Sequence, residues 1–200
     1  MNLELFTWVK IYMEIASRLV DYKDNRKELL SILEKVYEEL EVLKYPFVDN
    51  GDKLEDIDPY TVMATFNRNI KDETRTALIQ LLKKYMGLQS NVPTDFSGIP
   101  IVNSQSAWFF AGKYDRSEDD IQNLWDLFVI ALEYADGNSV DSEFANIFDK
   151  VSKQKMVKWN LTMGLYWSRP YKYINLDSRN KAYLLDKIIL MDISAKYFLK

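Results

Sequence analysis

The chain has 200 residues, 48% of them apolar and 14% aromatic, with only six Gly and five Pro and with neither Cys nor His. That composition supplies a core for one ordered domain and excludes collagen-like, linker-rich and disulfide-stapled classes. The formal net charge of −4 means that any attraction for a polyanion has to be local rather than global.

Lacking His, the sequence has no usual proton shuttle, no commonest transition-metal ligand and no Ser-His-Asp or Cys-His arrangement. Zinc sites of the usual type are excluded with it. Neither a GxxxxGK[ST] phosphate loop nor a GxGxxG turn occurs, so catalysis would have to rest on carboxylates, Lys or Tyr. The absence of Cys reads as a cytoplasmic protein. The start Met1-Asn2-Leu3-Glu4 lacks the basic and apolar regions of a signal peptide. No run of about 18 uncharged apolar residues is present, so no membrane partner is expected.

Apolar residues recur at spacings of three and four, which predicts an all-α, irregular multi-helix domain. From Asp24 to Leu43 an amphipathic helix carries Leu29, Leu33, Val36, Leu40 and Leu43 on one face. After turns at Pro46 and Asn50-Gly51, Asp58 followed by Pro59 reads as an N-cap with proline at the first helical position, opening a short helix through Phe66. Asp72 caps another that stops at Gly87. Residues 88–104, with Pro93, Pro100 and Ser97-Gly98, form an irregular connection. It divides a 1–90 helical lobe from a 91–200 helical lobe, two packed lobes of one compact unit. Ser117 is expected to start a helix whose first turn holds Glu118, Asp119 and Asp120 and whose inner stripe is Ile121, Leu124, Trp125, Phe128 and Leu132, ending at Gly137. A buried helix is predicted around Trp159–Trp167. Asp177 caps a final helix containing Tyr183, Leu184, Leu185, Ile188 and Ile189.

Charge is segregated in the second lobe. Tyr114–Asp149 holds ten acids and one base, Arg116; Lys150–Lys181 holds eight basic residues against Asp177, a local balance of +7 that leaves −11 for the rest. The basic residues are Lys150, Lys153, Lys155, Lys158, Arg169, Lys172, Arg179 and Lys181. Two readings stand side by side. Either the lysines form a solvated face paired with the preceding acids and the aromatics are core, or cations and aromatics meet a nucleic acid by phosphate contact and base stacking. Arg179, in the first turn of its helix, opposes the helix dipole and calls for a carboxylate such as Asp177 or a bound anion. Asn180 beside it suits a base edge or a capping bond.

Asp177 has no spacing that fixes it to Asp149 or Glu143 as a hydrolytic pair, so a carboxylate-dependent nuclease is the least supported reading. Helix capping explains Asp56, Asp58 and the run Glu118-Asp119-Asp120 without a metal. Neither a metal site nor a cofactor is predicted. The residues assigned to a nucleic-acid contact are Lys155, Lys158, Trp159, Trp167, Arg169, Tyr171, Lys172, Arg179 and Asn180, with Lys150, Lys153 and Tyr173 in support. The alternative is a protein-interaction module in which the 114–149 acids meet the 150–181 bases of another chain.

DYKDNRKELL (21–30), DIDPYTVMATFNRNI (56–70), VPTDFSGIPIVN (92–103), DDIQNLWDLFVIALEYAD (119–136) and KWNLTMGLYWSRPYKYINLDSRN (158–180) together resemble the N-terminal region of bacterial McrB-like proteins. These are the GTPase subunits of 5-methylcytosine-specific restriction systems, in the branch where a region of this length precedes the AAA+ motor. The resemblance implies a non-enzymatic, DNA-binding recognition domain of a defence system. It also implies three partners: DNA, including methylated DNA, the AAA+ motor of the same parent chain, and a nuclease subunit. The missing phosphate loop agrees with a fragment ending before the motor, which the apolar stretch Ile188–Leu199 would approach.

Overall fold

The first helix, α1 (Trp8–Leu19), buries Trp8, Ile11, Tyr12, Ile15 and Leu19, the three-and-four spacing of a single apolar face. The structure, a computed structural model, describes residues 5–104 and 107–187. The chain entering α1 is held to the later irregular segment. The Phe6 amide donates to the Asp95 carboxylate, and the Thr7 hydroxyl accepts from the Thr94 and Asp95 amides. The Trp8 indole N–H donates to the Ser97 carbonyl. A single 3₁₀ turn, Val20–Tyr22, leads to α2 (Arg26–Leu40), shorter at both ends than the predicted Asp24–Leu43 helix.

Asn50 and Gly51 both take positive φ, as a two-residue hairpin turn requires, and join β1 (Val48–Asp49) to β2 (Asp52–Lys53) in an antiparallel pair. The predicted turn is therefore a miniature hairpin. Helix α3 (Pro59–Phe66) begins at the expected cap: one Asp58 carboxylate oxygen accepts the Tyr60 and Thr61 amides at 2.8 and 3.0 Å. Every residue of α3 is buried, which makes it the axle of the fold. Helix α4 (Asp72–Met86) has Asp72 as its first residue rather than its cap, and stops at Gly87 in the left-handed region.

Helix α5 (Asp120–Ala135) buries the predicted stripe but starts three residues later than Ser117. The Asp120 carboxylate accepts the Ser117 amide, the reciprocal contact of a capping box, and the Asp120 amide bonds back to the Ser117 carbonyl, with residues 118–119 forming a tighter turn before the regular helix begins. Then follow α6 (Asp141–Val151), α7 (Asn160–Ser168) and α8 (Ser178–Lys187). The predicted members Ile188 and Ile189 of the last helix lie outside the described residues.

The fold is thus all-α, eight helices and one small hairpin among the described residues. Helix α3 touches α4, α5 and α7, α1 lies on α7, α2 on α4, and α6 on α5. A single hydrophobic cluster extends from Trp8 to Trp167, so the described parts of the segments 1–90 and 91–200 share one core. The α3–α7 crossing depends on Gly164, where a Cβ would come within 2.5 Å of the Tyr60 ring. No helix among the described residues is long and apolar enough to cross a membrane.

Candidate nucleic-acid interface

The basic segment is not one continuous face. Lys150 closes α6, Lys153, Lys155 and Lys158 sit in the turns over residues 152–158, and Arg179 and Lys181 belong to α8. Two of the assigned residues leave the surface altogether. Trp167 is fully buried, its indole N–H donating to the Pro100 carbonyl at 3.0 Å, because the predicted buried helix turns this ring into the core. Arg169 is also buried. It forms a two-pronged pair with Asp136 at 3.0 and 2.9 Å and donates further to the Ser168 carbonyl and the Ser17 hydroxyl, tying α1, α5 and α7 together. Hydrogen bonds from Arg169 hold the Asp136 carboxyl below its ordinary range. Trp167 and Arg169 are therefore structural, a correction to their assignment as DNA contacts.

Others stay outside but are engaged or scattered. Lys155 pairs with Asp115 at 2.7 Å. Lys172 lies over the Tyr134 ring, 4.2 Å from its centroid. The Tyr173 ring stacks on Phe144, and its hydroxyl donates to the Ala131 carbonyl. Tyr171 is 85% exposed. Asn180 serves the cap turn, donating its side-chain amide to the Asn175 carbonyl at 2.8 Å.

What the fold does bring together is Lys158, Trp159 and Arg179, at the rim of an open cleft of about 700 Å³. Its apolar wall comes from residues 99–103, with Met156 and Met163 completing it. Each rim residue has a local cause for its place. The Lys158 amide donates to the Asn160 side chain at 2.7 Å, fixing the turn that launches α7, and Trp159 stands at the N-cap of that helix. Across the cleft, the Asp177 carboxylate accepts the Arg179 and Asn180 amides at 3.0 and 2.9 Å, the predicted cap of α8. Lys181 then lies 3.7 Å from the centroid of the Trp159 ring.

Electrostatically, the acidic and basic segments cancel each other at only two ion pairs among the described residues, Lys155–Asp115 and Arg169–Asp136. Lys158 and Arg179 make no ion pair with any described residue and are exposed. Among the described residues the one carboxylate on the cleft is Asp177, and it is engaged by backbone amides. An indole, an apolar wall and a surplus of cations suit a ligand with a flat apolar part and an anionic part. No three or more His, Cys, Asp or Glu gather as a metal would require among the described residues.

Sequence reasoning missed the cleft's second wall and the part played by Lys181. Residues 99–103 registered only as irregular connection, and their meeting with residues 156–163 is a long-range event with no local signal. Lys181 sits four residues beyond the Asp177 cap, one helical turn from the rim, and that spacing is the signal by which it was recognisable.

The fold and cleft define an all-α domain with an open cleft that has cations and one indole at its rim and an apolar wall. By sequence it belongs to the family described as a domain of unknown function, DUF8425, which matches residues 8–199. No curated protein and no solved structure matches the chain.

Proposed function

We propose that this domain binds DNA without cutting it, acting as the target-recognition part of a modification-dependent restriction system of the McrB-like kind. The observation that carries the reading is the convergence of Lys158, Trp159 and Arg179 on one cleft, with Lys181 behind the indole and, among the described residues, only the capping carboxylate of Asp177 opposing them. Cations left without acidic partners attract phosphates, and an indole at the same rim offers a surface for a base. The sequence resemblance supplies the biological setting, with the AAA+ motor and a nuclease subunit as the partners that complete the machine.

Two phosphate contacts, by Lys158 and Arg179, give a log–log salt slope of roughly −2 on duplex DNA and roughly −1.4 on a single strand. Fluorescence anisotropy of labelled DNA, single-stranded and duplex, with and without 5-methylcytosine and at two salt concentrations, tests this. Retention at low salt with such a slope is expected, and tighter binding of the methylated duplex supports the restriction setting. Failure to retain any DNA at low salt refutes the reading.

A second reading has its own observation. Helix α6 buries only Val151, while Phe144, Ile147 and Phe148 remain half-buried beside the exposed Asp141 and Glu143, and Val140 and Ile174 are exposed nearby. An apolar stripe edged with acids suits a basic protein partner, including the basic segment of a second copy. Light scattering across a salt series separates the two: self-association lost on adding salt, without DNA retention, favours this module.

A further inference from the structure

The cleft does not end at its own rim. Met156 lines both it and a second depression of about 330 Å³ formed with Trp108, Phe110, Gly112, Asp115 and Lys155. In that second depression the Trp108 and Phe110 rings are stacked at 5.3 Å, and the Lys155–Asp115 pair stands at its edge. Two concave sites in series, each with a tryptophan and a lysine, are therefore separated by one flexible thioether side chain.

From this juxtaposition we infer that the occupant is an unpaired DNA strand, with successive bases lodged against Trp159 and Trp108 and its backbone passing Met156 toward Lys155. The inference rests on the DNA-contacting reading of the same cleft and narrows it. A duplex offers a protein its phosphates and the edges of its bases, while the flat apolar faces are stacked inside. The wall formed by Ile99, Pro100, Ile101 and Met163 has nothing to bury against such a surface. A strand with exposed base faces presents an apolar plane to that wall and to the indoles, and its phosphates to Lys158 and Arg179. The arrangement of Lys181 agrees with this. It covers the Trp159 ring at 3.7 Å but does not line the cleft, so it backs the indole while the rest of the ring faces the ligand.

Anisotropy with a short labelled oligo(dT) strand, alone and annealed to its complement, tests the inference on the full chain. The strand is expected to bind about tenfold more tightly than the duplex, and Trp159→Ala to weaken strand binding about tenfold, with Trp159→Phe retaining most of it. Lys158→Gln and Arg179→Gln, at exposed positions that leave the core untouched, are each expected to weaken strand binding about threefold and to make its salt slope shallower. A duplex bound as tightly as the strand, or undiminished strand binding by Trp159→Ala, overturns the inference while the DNA-binding reading stands; strand and duplex binding both undiminished in the Lys158→Gln and Arg179→Gln variants overturns the inference and the cleft's part in the DNA-binding reading together. Retention of neither strand nor duplex overturns both.

Discussion

The Arg169 guanidinium directs its donors into the fold: to both carboxylate oxygens of Asp136, the carbonyls of Met13 and Ser168, and the Ser17 hydroxyl. Its partner Asp136 is half exposed and can rehydrate, whereas the buried acceptors cannot. Arg169→Ala is therefore expected to cost about 2–3 kcal/mol in urea unfolding and to leave DNA affinity unchanged below its melting temperature. A loss of affinity by a folded variant would contradict the structural role. Asp58 makes the opposite kind of demand. Burial pushes its carboxyl from 3.8 up to about 6, and its second oxygen has no hydrogen-bond partner. Because the folded value lies above the ordinary one, the native state holds the extra proton between them. The stability Asp58 contributes is thus complete below about pH 4 and is lost as pH rises to about 6. Asp136 and Asp95, whose carboxyls are held low by bonds from Arg169 and Ser97, act in the other direction, so the comparison must be with a variant. The unfolding free energy of the wild type relative to Asp58→Asn should fall by roughly 2–3 kcal/mol between pH 4 and pH 7. A constant difference would show that the carboxyl ionises freely.

At the scale of elements, the α3–α7 crossing and the start of α8 carry the arrangement. Tyr60 cannot yield to a Cβ at Gly164, because its ring is fully buried between Phe109 and Phe128. Gly164→Ala should lower the melting temperature by several degrees: overpacking costs about 1–3 kcal/mol, against about 1 kcal/mol gained in helix propensity. A raised melting temperature would mean that the two helices can separate. Asp177→Asn keeps an oxygen to cap α8 and removes only the charge, so DNA affinity should rise about two- to fivefold in the same anisotropy titration. A decrease would place the carboxylate among the ligand-binding groups. These elements also mark what was legible beforehand. The caps at Asp58 and Asp177 and the stops at Gly87 and Gly137 are local, since each acts on backbone groups a few residues away, and the structure has them where the sequence put them. The regular part of α5 begins three residues after Ser117, but the Asp120 carboxylate still turns back to the Ser117 amide as a capping box does. Trp167 and Arg169 were misjudged because side-chain type does not tell which side of a buried helix faces its neighbours.

Seen as a whole, the molecule is one core built around α3, with a net charge of −4 distributed unevenly over its surface. In the proposed reading, an acidic surround repels a polyanion and cations without acidic partners attract it, so the uneven charge would orient the approach of DNA as much as limit its strength. The all-α character was legible because helical periodicity is repeated along most of the chain. The cleft was only half legible: its cationic rim lies in one contiguous segment, whereas the wall at 99–103 arrives from a distant irregular stretch. The central claim is that this cleft, and not the scattered lysines elsewhere, makes the contact. Anisotropy of a labelled DNA strand against salt, for the wild type and the Lys158→Gln/Arg179→Gln double variant, tests it most directly. The account predicts at least about tenfold weaker binding by the double variant at low salt and a log–log slope reduced by about 1.4, two contacts at roughly 0.7 each; equal affinity and equal slope would contradict it.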